Sequence, residues 1–221
     1  MRKQVNFYQT FPIFLCNKTV FLMCAPSNPH NAVREALRKL EAKAKVCRRC
    51  KLHKTRTNVV FSDGPPTAEI MVVSEAPGFW EDQKGVPFSG AAGKNLNALL
   101  LEAGLRREEV YIANTLKCRP PGNRDPLPDE IETCRPFLEE QISTIKPKLI
   151  VALGRIAARA LLGRYVTMGK EHGKLLDCTY ASASFKLFLT YHPAAALYGA
   201  ETKQRLQADF RKLGSVLKSL A

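Results

Sequence analysis

Four short apolar runs, each followed by a stretch of helical periodicity, constrain this chain more than any other feature. The runs are Glu69–Ser74 (EIMVVS), Val110–Thr115 (VYIANT), Lys148–Leu153 (KLIVAL) and Lys186–Tyr191 (KLFLTY). They are rich in aliphatic, β-branched and aromatic residues, as strands buried on both faces must be. The helical stretches are Gly93–Ala103, closed by Gly104, then Pro128–Ile145, Gly154 to Leu162, and residues 202–220. Asp129 and Glu130 fall in the first turn of the second, where negative charge is favoured. A further helix is expected over Asn31–Val46, with Val33, Leu37, Leu40 and Ala44 on one face. This alternation predicts an α/β fold, a three-layer α/β/α arrangement around a central four-stranded, mostly parallel sheet. The 221 residues suffice for one such domain and are thin for two, so residues 30–221 read as a single domain.

Residues 1–29 stand apart. Phe11–Met23 is apolar and follows Arg2 and Lys3, as in a signal peptide, but Asn17 and Lys18 interrupt it and no small-residue cleavage site follows. The segment reads as an extension outside the core, poorly ordered or loosely docked. No run reaches the length of a membrane span, so no membrane association is expected.

In a doubly covered parallel sheet, ligands bind at the carboxyl ends of the strands. Three of the loops leaving those ends are unusually rich in polar residues, Pro and Gly: the segments starting at Ser74, at Asn114 and at Tyr191. They are distant in sequence and are expected to converge. Seven cysteines, at 16, 24, 47, 50, 118, 134 and 178, make a poor disulfide framework. Cys47 and Cys50 form a C-x-x-C pair, and with Cys118 and Cys134 they could hold zinc or an iron–sulfur cluster. Reduced ligand thiols imply an intracellular, cytoplasmic protein. The formal charge is +14. Residues 31–60 carry ten basic against two acidic side chains, a local charge of +8 beside the first cysteine pair. Neutralising phosphates is the commonest use of such charge.

At this point the chain resembles a known family. SEAPGFWEDQKGVPFSGAAG is similar to the first motif of family 4 uracil-DNA glycosylases, the iron–sulfur members of their superfamily. NTLKCRPPGNRDPLPDEIETC is similar to the second, VALGRIAARALLG to a strand–helix unit and HPAAAL to the final histidine motif. The motifs are collinear over about residues 31–220. One departure is Ser74, where the family usually has Gly.

The resemblance implies a DNA repair hydrolase. It would flip uracil out of single- or double-stranded DNA and hydrolyse its N-glycosidic bond, leaving an abasic site. It also implies a [4Fe–4S] cluster on Cys47, Cys50, Cys118 and Cys134, and a monomer is expected. The chemistry suits the residues. A flipped base needs a stacking face, which Phe88 would supply, and Gly78 lies in the same pocket-forming motif. Uracil offers an N3–H donor and an O4 acceptor, and one fixed carboxamide, Asn114, could pair with both. Glu81 is the candidate wall against the thymine methyl. His192 is the candidate donor to uracil O2, where negative charge develops. Glu75 is the candidate for orienting water. Arg48, Arg49, Lys51, Lys54, Lys117 and Arg119 are the candidate phosphate contacts.

Overall fold

The computed structural model describes residues 29–220. The expected extension over residues 1–29, with Cys16 and Cys24, lies outside the described residues apart from Pro29, which opens the first helix. In chain order the elements are α1 (Pro29–Lys45), β1 (Ser62–Asp63), β2 (Ile70–Ser74), α2 (Phe79–Lys84), α3 (Ala91–Glu102) and β3 (Val110–Asn114). They continue with α4 (Pro128–Ile145), β4 (Leu149–Leu153), α5 (Gly154–Leu162), α6 (Met168–Glu171), β5 (Leu175–Tyr180), β6 (Ala183–Thr190) and α7 (Ala200–Leu220).

The sheet runs β1-β3-β2-β4-β6-β5. Its four central strands are those read from the sequence, and all three pairings among them are parallel. The expected four-stranded sheet is therefore corrected to six strands, because an antiparallel strand is added at each edge. β1 is only two residues long, too short for any pattern to show. β5 joins β6 through Ala181 and Ser182, both with positive φ (49° and 62°). Such a turn normally announces itself by Asn or Gly, and neither is present.

Alternation along the strands divides the core. Met71 and Val73 face one way with Leu138, Ile142, Ala157 and Leu161 of α4 and α5. Val72 faces the other way with Leu96, Leu100, Leu206 and Phe210 of α3 and α7. Helices thus cover both faces. A third apolar cluster joins Leu40 and Ala44 of α1 to Leu116, Cys118, Cys134 and Phe137. It fastens α1 beside the loop that leaves β3.

No helix among the described residues is long and apolar enough to cross a membrane.

Candidate functional site

The loops leaving β2, β3 and β6 converge, as their position at the strand ends requires. They enclose a cavity of about 370 Å³ lined by Ser74, Glu75, Gly78, Glu81, Phe88, Asn114 and His192, among others. Asn114 is the last residue of β3 and is 3% exposed. Asn114 lines the cavity. The backbone at this position is fixed from behind, since the Lys117 ammonium donates to the Asn114 carbonyl at 2.7 Å.

Phe88 is held by strain and by a clamp. Its φ of 53° is unusual for a bulky residue. The Arg107 guanidinium donates to the carbonyls of Pro87 (2.7 Å) and Phe88 (3.4 Å) and pairs with Asp63 (2.8 Å). Gly93 lets the loop close, because a Cβ there would lie 1.7 Å from the Phe88 carbonyl oxygen. On the other side Glu81 Oε1 accepts from the Gly90 amide at 3.0 Å. Gly78 permits this approach, as a Cβ at 78 would come within 2.7 Å of Glu81 Oε2. The Phe88 ring lies stacked with His192, centroids 5.7 Å apart and planes 23° from parallel.

His192 follows β6, and its tautomer is readable from its partners. Nδ1 accepts from the Ala194 amide at 3.1 Å, so it carries no proton. The proton of the neutral ring therefore sits on Nε2, which donates to Ser74 Oγ at 2.9 Å. Burial lowers the His192 pKa to about 4, so the ring is a neutral donor at physiological pH. Gly154, at φ +87°, makes room for it: a Cβ there would sit 3.3 Å from the His192 Cβ. Behind β6, Asp209 accepts from Thr190 Oγ1 (2.7 Å) and contacts His172 Nδ1 (2.9 Å), anchoring the strand end that carries His192. Glu75 lies on the cavity wall with its carboxyl pKa raised, chiefly by burial and then by the nearby Asp125, against the opposing pull of Arg155.

Residues 61–214 match the family model described as the uracil DNA glycosylase superfamily. A type-4 uracil-DNA glycosylase of Archaeoglobus fulgidus is 47% identical over 174 residues, covering 77% of this chain and 87% of the relative. That of Sulfurisphaera tokodaii is 45% identical, covering 81% and 84%. That of Thermotoga maritima is 40% identical, covering 83% and 96%. The chain belongs to the type-4 uracil-DNA glycosylases. In this family member four cysteines gather beside the loop leaving β3. Cys47, Cys50, Cys118 and Cys134 all line one small cavity and all are free thiols. Among the described residues, no group of three or more His, Cys, Asp or Glu is placed to hold a metal ion. Burial pushes the Cys134 thiol up to about 11 and also raises Cys118.

Cations surround these thiols. Arg56 donates to Cys118 Sγ at 3.1 Å and to the Lys45 carbonyl at 3.1 Å. The Lys117 amide donates to Cys134 Sγ at 3.3 Å. The Lys117 side chain corrects one sequence expectation. It is no surface contact for DNA: it is 1% exposed, and its ammonium donates to Gln141 Oε1 at 2.6 Å as well as to Asn114. Burial lowers its pKa to about 8. The stretch Leu116–Cys118 is drawn into the core by the cysteine cluster, and Lys117 goes with it.

The remaining candidate phosphate contacts are on the surface. Arg48, Arg49, Lys51 and Lys54 are exposed, with Arg49 lying over the Phe137 ring at 4.8 Å. Arg119 is partly buried and lies over the Phe79 ring at 5.1 Å. Several structural partners of the site were missed in the sequence. Arg107, Asp82, which accepts from the Thr57 and Asn58 amides, and Glu130, which binds Arg124 at 2.7 Å, each depend on a contact across a sequence gap. Only the pair Arg124 and Glu130, six residues apart around a helix start, left a local signal.

Proposed function

We propose that this protein is a DNA repair glycosylase that hydrolyses the bond between uracil N1 and deoxyribose C1′, leaving an abasic site. The observation that carries the reading is one cavity lined by Asn114, Phe88 and a neutral His192 whose Nε2 carries the proton. Extruded uracil stacks on Phe88. Asn114 accepts from N3–H and donates to O4, a pairing that cytosine, with the reverse pattern, cannot meet. Glu81, held against the Gly90 amide, forms the wall beside C5, with Gly78 giving it room. As the C1′–N1 bond breaks, negative charge grows on uracil O2. The His192 Nε2–H turns from Ser74 Oγ to that oxygen and stabilises it without transferring a full charge. Water adds its oxygen to C1′ as the C1′–N1 bond breaks and releases one proton to solvent, and the uracil anion takes up one proton from solvent. Glu75 orients the water. Arg48, Arg49, Lys51, Lys54 and Arg119 hold backbone phosphates.

Cys47, Cys50, Cys118 and Cys134 would hold a [4Fe–4S] cluster. The donor set fits: four reduced thiols from three separate segments face one cavity, with Arg56 and Lys117 beside them to offset thiolate charge. Bound there, the cluster supplies a rigid structural tie and no step of the hydrolysis. The test is incubation with a uracil-containing oligonucleotide, then alkali. Strand cleavage at uracil is expected, and intact strands after treatment with coloured, folded protein would reject the proposal.

A further inference from the structure

Two large aromatic side chains lie in the open where α2 begins. Phe79 is 45% exposed and Trp80 57%, and their rings meet edge to face at 5.2 Å. Leaving that much aromatic surface in water forgoes burial energy, and a clustered exposed patch marks a binding surface more often than an accident of folding. The patch is braced. Arg119 covers Phe79, and its Nε donates to Asn123 Oδ1 at 2.6 Å, so the guanidinium is fixed while other N–H donors remain available. The Trp80 ring packs toward Gly90, whose added Cβ would lie 3.3 Å from Trp80 Cδ1.

The patch borders the mouth of the catalytic cavity on two sides. Pro77, Gly78 and Glu81, which flank the pair in sequence, line the cavity, and so do Pro120 and Asn123 beside Arg119. Any strand that places one base in the cavity must carry its neighbours across this rim.

We propose that Trp80, backed by Phe79, is a stacking platform for the nucleobase adjacent to uracil in the same strand, with Arg119 facing the intervening phosphate. The proposal rests on the uracil-excision reading above. The occupant follows from chemistry. Aromatic faces accept any base, fixed guanidinium groups accept phosphate, and the chain carries +14 of charge to match a polyanion. Phe79 and Trp80 thereby let the enzyme grip an unpaired neighbour, favouring substrates in which that neighbour is unstacked.

Trp80 is the only tryptophan in the chain, so its fluorescence reports the platform alone. The whole protein is titrated with a single-stranded oligonucleotide whose uracil nucleotide carries a 2′-fluoro group that blocks excision. Two further strands lack the base on the 5′ or the 3′ side of uracil. The intact strand is expected to quench the indole, and one of the two base-lacking strands to bind without quenching. That strand is expected to bind about five- to a hundredfold more weakly, the range for one lost stack. Trp80→Ala should weaken the intact strand by a similar factor and be indifferent to the missing base, whereas Trp80→Phe should keep most of the affinity. Unchanged fluorescence at saturating DNA, as a protein-docking patch would give, overturns the proposal. Equal quenching by all three strands also overturns it. Excision from an unmodified uracil strand is measured in parallel. Excision without a neighbour effect defeats the platform alone, and quenching without excision defeats the glycosylase reading alone.

Discussion

The buried, neutral state of His192 predicts a specific pH dependence of stability. The perturbation is His192→Gln, which keeps a side-chain amide donor and removes the titrating group. In the folded protein the imidazole titrates at about 4, because burial disfavours its charged form. In the unfolded chain it titrates at the ordinary value of about 6.5. Between these values the unfolded state binds a proton that the folded state refuses. Stability therefore rises with pH across the window and is lost as pH falls from about 6.5 toward 4. Near pH 7.5 both states are neutral and the effect vanishes. Near pH 5 linkage gives about 2 kcal/mol. We take that as the upper end, because His192 also borders the open cavity. The assay is urea unfolding of both proteins at the two pH values, under anaerobic conditions. Subtracting the variant removes every other titrating group. The wild type should lose up to about 2 kcal/mol more than His192→Gln on going to the lower pH. A difference independent of pH, or one of opposite sign, would refute the reasoning that burial sets this group's protonation.

Three other outcomes are expected. Gly154→Ala places a Cβ against His192 in a backbone conformation disfavoured for alanine, so it should destabilise the fold by about 1 kcal/mol and slow uracil excision. Melting temperature and single-turnover rate check this. Lys117→Met leaves Gln141 Oε1 and the Asn114 carbonyl without their donor, a loss of about 1–3 kcal/mol. It should also reduce absorbance near 400 nm per mole of purified protein, whereas unchanged colour and stability would dismiss Lys117 as a support. Ser74→Gly removes the resting acceptor of His192 Nε2 and leaves the Ala194 amide on Nδ1, so the tautomer persists and excision stays within about tenfold of wild type. Nitrogen-15 spectra of the ring would reveal a tautomer change if this is mistaken.

The central sheet was legible because each of its four strands is an apolar run with an adjacent helical period. The edge strands were not, since β1 has two residues and β5 turns on Ala181 and Ser182 without a glycine. That Asn114 and His192 would line one cavity was readable from their place at the strand ends, where a parallel sheet binds ligands, and from the motifs they sit in. Lys117 was misplaced for a physical reason. A lysine two residues before an arginine in a Pro- and Gly-rich loop looks solvated, and its burial follows only from the packing of Cys118 and Cys134 against α1. Arg107 was invisible because its contacts to Pro87 and Asp63 span twenty and forty-four residues. The tautomer of His192 needed the Ala194 amide, a contact two residues away whose geometry only the folded loop defines.

The central claim is that Asn114 and His192 act together on one extruded uracil. Single-turnover excision from a uracil-containing single strand tests it most directly, comparing wild type, Asn114→Ala and His192→Ala with enzyme in excess. Rates about a hundred- to a thousandfold lower for His192→Ala, and a comparable loss for Asn114→Ala, are expected if each supplies a preorganised contact to the departing base. Folded, coloured variants that excise uracil as fast as wild type would contradict the account.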